Sequence, residues 1–255
     1  MTATNFELPE AAPPPWWMMA LESRAIVEYS AMWAALPWLL RAPYGDGHTV
    51  IVFPGLVAGD LSTLPLRMFL ESRGYRAHAW EQGINLGPGR GVLGNLKRKV
   101  RELQGKRNRR VSLIGWSLGG IYARELAKMM PDMVRQVITL GTPFAGDPKA
   151  TNAWRLFELV SKRRAQNKRV IEALKETPPV PTTSIMSYTD GVVAWPLSVE
   201  KQSDRSETIS VHASHMGMGF NPLVLYAIAE RLGQPESTWK PFQADGMKAF
   251  AYGKP

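Results

Sequence analysis

The segment that most limits the folds open to this chain runs from Arg110 to Pro131. A β-branched and apolar run, Arg110-Val-Ser-Leu-Ile114, passes through Gly115-Trp-Ser-Leu-Gly-Gly120 straight into a helical stretch, Ile121 to Met130, which Pro131 closes. Strand, tight turn and helix in direct succession force the turn residue, Ser117, into a strained conformation with its hydroxyl raised above the sheet edge. The glycines at 115 and 119 keep side chains out of that crowded turn. Gly-x-Ser-x-Gly alone is a modest signal, because both residue types are common; its place between a strand and a helix gives it weight.

The rest of the chain supplies the sheet that such a turn requires. From His48 onward short β-branched runs alternate with helical stretches, the pattern of βαβ units. The fold class expected is therefore α/β, a mostly parallel sheet of about six strands covered by helices on both faces. Strands are expected at 48–53, 75–80, 110–114, 135–140, 183–188 and 207–212, and helices near 61–73, 91–104, 121–130 and 221–232. A basic helical stretch, about 149–176, is ended by Pro178, Pro179 and Pro181. With 255 residues, 45% of them apolar and 21% charged, the chain suits one catalytic domain over 48–255 preceded by an N-terminal arm and helix over 1–47.

That N-terminal part begins with a Pro-rich arm, 1–15, which carries Glu7 and Glu10, no basic residue and no apolar core, so no secretory signal is readable. Residues 16–40 read as an amphipathic helix, with Trp16, Trp17, Met18, Met19, Leu21, Ile26, Val27, Met32, Trp33 and Leu36 around Glu22, Arg24 and Glu28. Its apolar face suits either a membrane interface or docking on the chain's own domain, and docking is the reading favoured. The longest apolar stretches, such as Ala31 to Leu40, are about half the roughly 20 residues of a spanning helix. A cytoplasmic protein is expected, with peripheral membrane contact through 16–40 as the alternative.

Lys and Arg number 31 against 22 Asp and Glu, a net charge of +9, and the excess is uneven. Between residues 97 and 110, Lys97, Arg98, Lys99, Arg101, Lys106, Arg107, Arg109 and Arg110 face only Glu102. Such a patch attracts nucleic acid or anionic lipid, or is a solvated helix face with a basic turn. No aromatic residues interleave with it as a base-stacking surface requires, which disfavours nucleic acid.

The absence of cysteine removes disulfides, thiolate metal sites and a Cys nucleophile. A serine hydroxyl needs a base, and the chain has four histidines: His48, His78, His212 and His215. On a sheet of this kind the order is Ser, acid, His, with the acid after a late strand and the His after the last one. His48 and His78 precede Ser117; His212 falls within the expected last strand; His215 falls in the loop beyond it. Asp190, which follows Ser184-Ile-Met-Ser-Tyr-Thr189 and opens Asp190-Gly-Val-Val193, is the acid best placed to orient the imidazole. Asp147 comes too early, Asp204 lies in a polar loop, and Glu200 is a remaining outsider. Oxyanion donors are expected from the amides of Leu118, at the start of the helix, and Leu56, in Phe53-Pro54-Gly55-Leu56. No His-x-x-x-His pair or comparable ligand cluster is present, so neither a metal nor a cofactor is expected.

Pro54-Gly55-Leu56, Gly115-Trp-Ser-Leu-Gly119, Leu140-Gly-Thr-Pro-Phe144, Asp190-Gly-Val-Val193 and Ser214-His-Met-Gly217 stand in this order between about His48 and Leu232. In these elements the chain resembles the α/β-hydrolase superfamily, and within it the small bacterial lipases and carboxylesterases. The resemblance implies hydrolysis of a small-molecule or lipid ester through an acyl-enzyme, with the insertion at about 147–180 as a cap or lid. Two features depart from the family pattern: Pro54 replaces the His of the usual His-Gly, and the chain starts with a helix instead of extra antiparallel strands. Trp154, Leu156, Phe157 and Leu159 of the cap, with Trp116 and Met216 beside the nucleophile, suggest an apolar acyl pocket. A thioesterase, a polyester depolymerase or an acyltransferase would use the same triad. A non-catalytic binding or membrane-surface protein on the same scaffold is the alternative of another class.

Overall fold

The computed structural model describes residues 9–162 and 168–253. Its centre is a sheet of seven strands in the order β2-β1-β3-β4-β5-β6-β7. They are β1 (Thr49–Phe53), β2 (Arg76–His78), β3 (Val111–Trp116), β4 (Val134–Leu140), β5 (Thr182–Met186), β6 (Ser206–Val211) and β7 (Tyr252–Gly253). The first six are mutually parallel. β1, β3, β4, β5 and β6 are buried along their whole length, as continuous apolar and β-branched runs must be when helices cover both faces. The short β7 pairs antiparallel to β6 and is the strand the sequence pattern misses, because two residues carry no periodicity.

Alternation along the strands sends side chains into two separate cores. Val50, Val52, Ile114, Trp116, Ile138, Leu140 and Ile185 point to one face, which is covered by α2 (Ala25–Ala34), α3 (Leu36–Leu39), α4 (Leu64–Ser72) and α9 (Pro222–Leu232). Ile51, Phe53, Val111, Leu113 and Val137 point to the other, against α5 (Val92–Gly105) and α6 (Leu118–Met129). α9 starts where Asn221 Oδ1 accepts from the amides of Leu223 and Val224, with Pro222 in the first turn, where its missing N–H costs nothing.

The N-terminal helical region is broken into α1 (Trp16–Leu21), a 3-10 turn (Glu22–Arg24), α2 and α3. It docks on the domain, as expected, through Met32 and Leu39 in the core, and also through its charges, while much of its apolar surface faces outward. Glu22 is buried, whereas Trp16 is 82% exposed, Ile26 75%, Val27 68% and Trp33 50%. The expected basic helix at 149–176 divides into a 3-10 turn (Pro148–Ala150), α7 (Trp154–Ser161) and α8 (Lys168–Lys175); 163–167, like residues 1–8 of the N-terminal arm, lie outside the described residues. In the basic patch, Lys99, Lys106, Arg109 and Arg110 pair with Glu81, Glu102, Asp46 and Glu236. Among the described residues no helix is long and apolar enough to cross a membrane.

At the amino end of the sheet, His48 Nε2 lies 2.8 Å from Ser112 Oγ, and its Nδ1 lies 2.5 Å from Asp46 Oδ1. Arg135 and Arg109 also bond Asp46. This repeats the residue types of a catalytic triad, but Ser112 is buried within β3, away from the large cavity described below. Burial, reinforced by Arg135, pushes His48 down to about 4 against the pull of Asp46. The neutral imidazole is thus favoured by folding, and its contribution is full above the unfolded value of 6.5 and lost as pH falls from there toward about 4. Melting temperature should therefore drop across that window in the native chain, with a shallower slope in His48→Gln; equal slopes would contradict the assignment.

Candidate active site

Ser117 stands between β3 and α6 with φ 52° and ψ −123°, a conformation that costs of order 1–3 kcal/mol and persists only where the surroundings impose it. They do so here through the Ser117 amide, which donates to Leu140 O at 2.8 Å, and through the close passage of α6 over β1. A Cβ at Gly119 would lie 2.4 Å from Phe53 O, so this position admits only glycine.

Asp190 and His215 meet as the chain order requires. His215 Nδ1 lies 2.7 Å from Asp190 Oδ2, while Asp190 Oδ1 accepts from the amides of Val192 at 2.8 Å and Val193 at 2.7 Å. The Asp-Gly turn therefore both folds the loop and aims the carboxylate. Burial works against the charged imidazole, but the Asp190 carboxylate, by charge and hydrogen bond, and Glu22 behind it outweigh that and raise the His215 pKa. Gly141, at φ 53°, lies beneath this pair: a Cβ there would sit 3.0 Å from Asp190 Oδ2 and 3.0 Å from His215 Nδ1.

Ser117 Oγ and His215 share no direct hydrogen bond; the neighbour of Ser117 in the chain, Trp116, donates from Nε1 to His215 O at 3.0 Å. His212 lies just beyond β6, not within it, with its side chain exposed. Glu200 is buried against Arg124, which stacks on Phe144 at 3.7 Å, so Phe144 of Leu140-Gly-Thr-Pro-Phe serves packing.

Ser117 opens on a cavity of about 1000 Å³. Its wall includes Leu56 and Leu118, the apolar flank of α5 at Val92 and Leu93, and Trp154, Phe157, Val170 and Leu174 of the segment at 147–180. Trp116 and Met216 do not line it. The Trp116 side chain points to the α9 face, edge-on to Phe220, and Met216 is exposed while its amide is held by Glu22. Among the described residues no group of three or more His, Asp or Glu is placed to hold a metal ion.

Sequence reading misses Asn85 and the inward charges of the N-terminal helix. Buried Asn85 donates from Nδ2 to Pro54 O at 2.8 Å, and its backbone accepts from Val57, itself at φ 57°. It thereby fixes the loop carrying Leu56. Glu22 and Arg24 bond the loops of both Asp190 and His215, and Glu28 bonds the latter; three charges within an otherwise apolar helix were the available signal.

The comparisons with known proteins agree with the fold. A family model described as PGAP1-like alpha/beta domain matches residues 95–216, the span from α5 to the loop of His215. Solved structures align over most of the chain with strands and helices in the same arrangement. The chain is an α/β-hydrolase-fold protein. Lipase B of Aspergillus fumigatus is 17% identical, with a TM-score of 0.58 over 76% of this chain but only 55% of that one. A pyrethroid hydrolase from Sphingobium faniae JZ-2 is 18% identical, with a TM-score of 0.52 over 76% of this chain and 100% of that one. A monoacylglycerol lipase of Paleococcus ferrophilus is 14% identical, with a TM-score of 0.50 over 74% and 97%. No curated protein sequence matches the chain.

Asn85→Ala removes the side-chain amide that donates to Pro54 O and accepts from the amide of Gly87 at 3.1 Å, and leaves Pro54 O unsatisfied. Urea unfolding should report a loss of about 1–3 kcal/mol, and a stability equal to that of the native chain would refute the role given to Asn85.

Proposed function

We propose that this α/β-hydrolase-fold protein cleaves carboxylic esters through a triad of Ser117, His215 and Asp190. One observation carries the reading: Ser117, held at φ 52° on its turn, faces an apolar cavity of about 1000 Å³ whose wall also includes Leu56 and Leu118. In the mechanism proposed, His215 Nε2 takes the Ser117 proton as Oγ attacks the ester carbonyl. The amides of Leu56 and Leu118 hold the oxyanion, with the amino end of α6 adding its dipole. His215 then protonates the departing alkoxide, and water, deprotonated by His215, releases the acid from the acyl-enzyme. Asp190 keeps the imidazole in the required tautomer.

The size and apolar lining of the cavity favour a long or bulky hydrophobic acyl or alcohol group. Trp154 and Phe157 are its proposed contacts, and the segment at 147–180 is its cap. A thioesterase, depolymerase or acyltransferase would share the acyl-enzyme step, so the difference rests with the acceptor and the pocket. The expected outcome for p-nitrophenyl esters is rising kcat/KM from acetate to octanoate, with Ser117→Ala inactive on all of them. Full activity in Ser117→Ala would end the proposal. Because the imidazole titrates above the usual histidine value, kcat/KM should already be falling as pH drops through neutrality.

The outward apolar face of α1 and α2 supports a second reading, that the protein meets its ester at a lipid surface. Trp16, Trp17, Ile26, Val27 and Trp33 on one exposed helical segment suit the interfacial layer of a bilayer. Sedimentation with phosphatidylcholine vesicles should carry the native chain down and lose a Trp16→Ala/Trp17→Ala variant; a native chain left in the supernatant contradicts this reading.

A further inference from the structure

The N-terminal helix turns its charges inward. Glu22 is 8% exposed, and both carboxylate oxygens are engaged: Oε1 accepts from the amides of Gly191 at 2.8 Å and His215 at 3.0 Å, and Oε2 from the amide of Met216 at 2.8 Å. Arg24 Nη2 spans the same two loops, donating to Thr189 O at 2.6 Å and Ala213 O at 2.9 Å. Glu28 accepts from the amide of Ser214 at 2.7 Å and from its hydroxyl at 2.9 Å, and Arg24 and Glu28 pair with each other at 3.5 Å.

A buried carboxylate without partners is costly, and here three amides from two separate loops supply the compensation. These are the loops that carry Asp190 and His215. Their separation is thus set by a side chain from a segment that precedes the sheet altogether.

We infer that Glu22 is a positioning residue of the hydrolytic site, clamping the acid loop to the base loop so that Asp190 and His215 stay in register, an inference that rests on the triad reading above. Its negative charge also contributes to the raised affinity of His215 for a proton. The N-terminal helix is therefore part of the active-site apparatus. Arg24 and Glu28 extend the clamp on either side.

Glu22→Gln keeps the shape and removes the charge, and it turns one amide acceptor into a donor facing N–H groups. On a p-nitrophenyl ester the high-pH plateau of kcat should fall about ten- to a hundredfold with KM within about twofold. The acid limb of the pH profile should move to lower pH, since His215 loses an anion that favours its charged form. A structural glutamate would lower the melting temperature without moving that limb. A folded Glu22→Gln protein with an unmoved limb and plateau overturns the inference. Should the variant not fold, hydrogen exchange on the native chain decides: the amides of Gly191, His215 and Met216 should be strongly protected, and exchange at exposed-loop rates overturns the clamp. Ser117→Ala, assayed alongside, separates the two levels. If it stays active, the hydrolase reading fails and the positioning role with it. If it is inactive while Glu22→Gln behaves as the native chain, only the positioning role fails.

Discussion

Strain at one residue organises this molecule. Ser117 holds φ 52° because β3 is buried between β1 and β4, because α6 leaves the strand at once, and because Gly119 lets that helix rest on the carbonyl of Phe53. A conformation costing of order 1–3 kcal/mol survives only in a setting so fully determined. The two apolar cores that fix β3 from either face thus do more than stabilise: they keep one hydroxyl at the rim of an apolar cavity. The same packing delivers the chain to Gly141, whose left-handed backbone passes so close beneath the Asp190 and His215 side chains that a Cβ would crowd both at 3.0 Å.

The N-terminal helix adds a second constraint of a different kind. Most docked helices bury an apolar stripe and expose their charges, whereas the segment from α1 to α2 presents much of its apolar surface outward and turns Glu22, Arg24 and Glu28 onto the loops of Asp190 and His215. In the proposed chemistry one segment then serves two ends, fixing the triad from inside and offering tryptophans outside. Electrostatics at the other end of the sheet run the opposite way. Asp46, His48, Arg109 and Arg135 form a closed cluster in which burial disfavours the charged imidazole, whereas beside Asp190 and Glu22 the charged form of His215 is favoured.

Much of this was legible in the sequence, and the reasons are local. Six parallel strands, the elbow, and the order of Ser117, Asp190 and His215 follow from periodicity and from turn chemistry read within a few residues. What escaped depends on contacts between distant segments. Glu22 lies 193 residues from the amide it holds at His215, and nothing in an isolated helix says that its polar side faces inward. Asn85 reads as an ordinary loop residue until Pro54 and Val57 fold against it. Trp116 sits beside Ser117 in sequence, yet its side chain joins the core on the α9 face. β7 is too short to carry any pattern.

The central claim is that Ser117 is a nucleophile activated by its surroundings, and covalent labelling tests it most directly. Treating the native chain with a fluorophosphonate and mapping the adduct by peptide mass spectrometry should find one modified residue, Ser117, with labelling suppressed in His215→Ala. A folded native chain that takes up no label, or that takes it up elsewhere, would contradict the account.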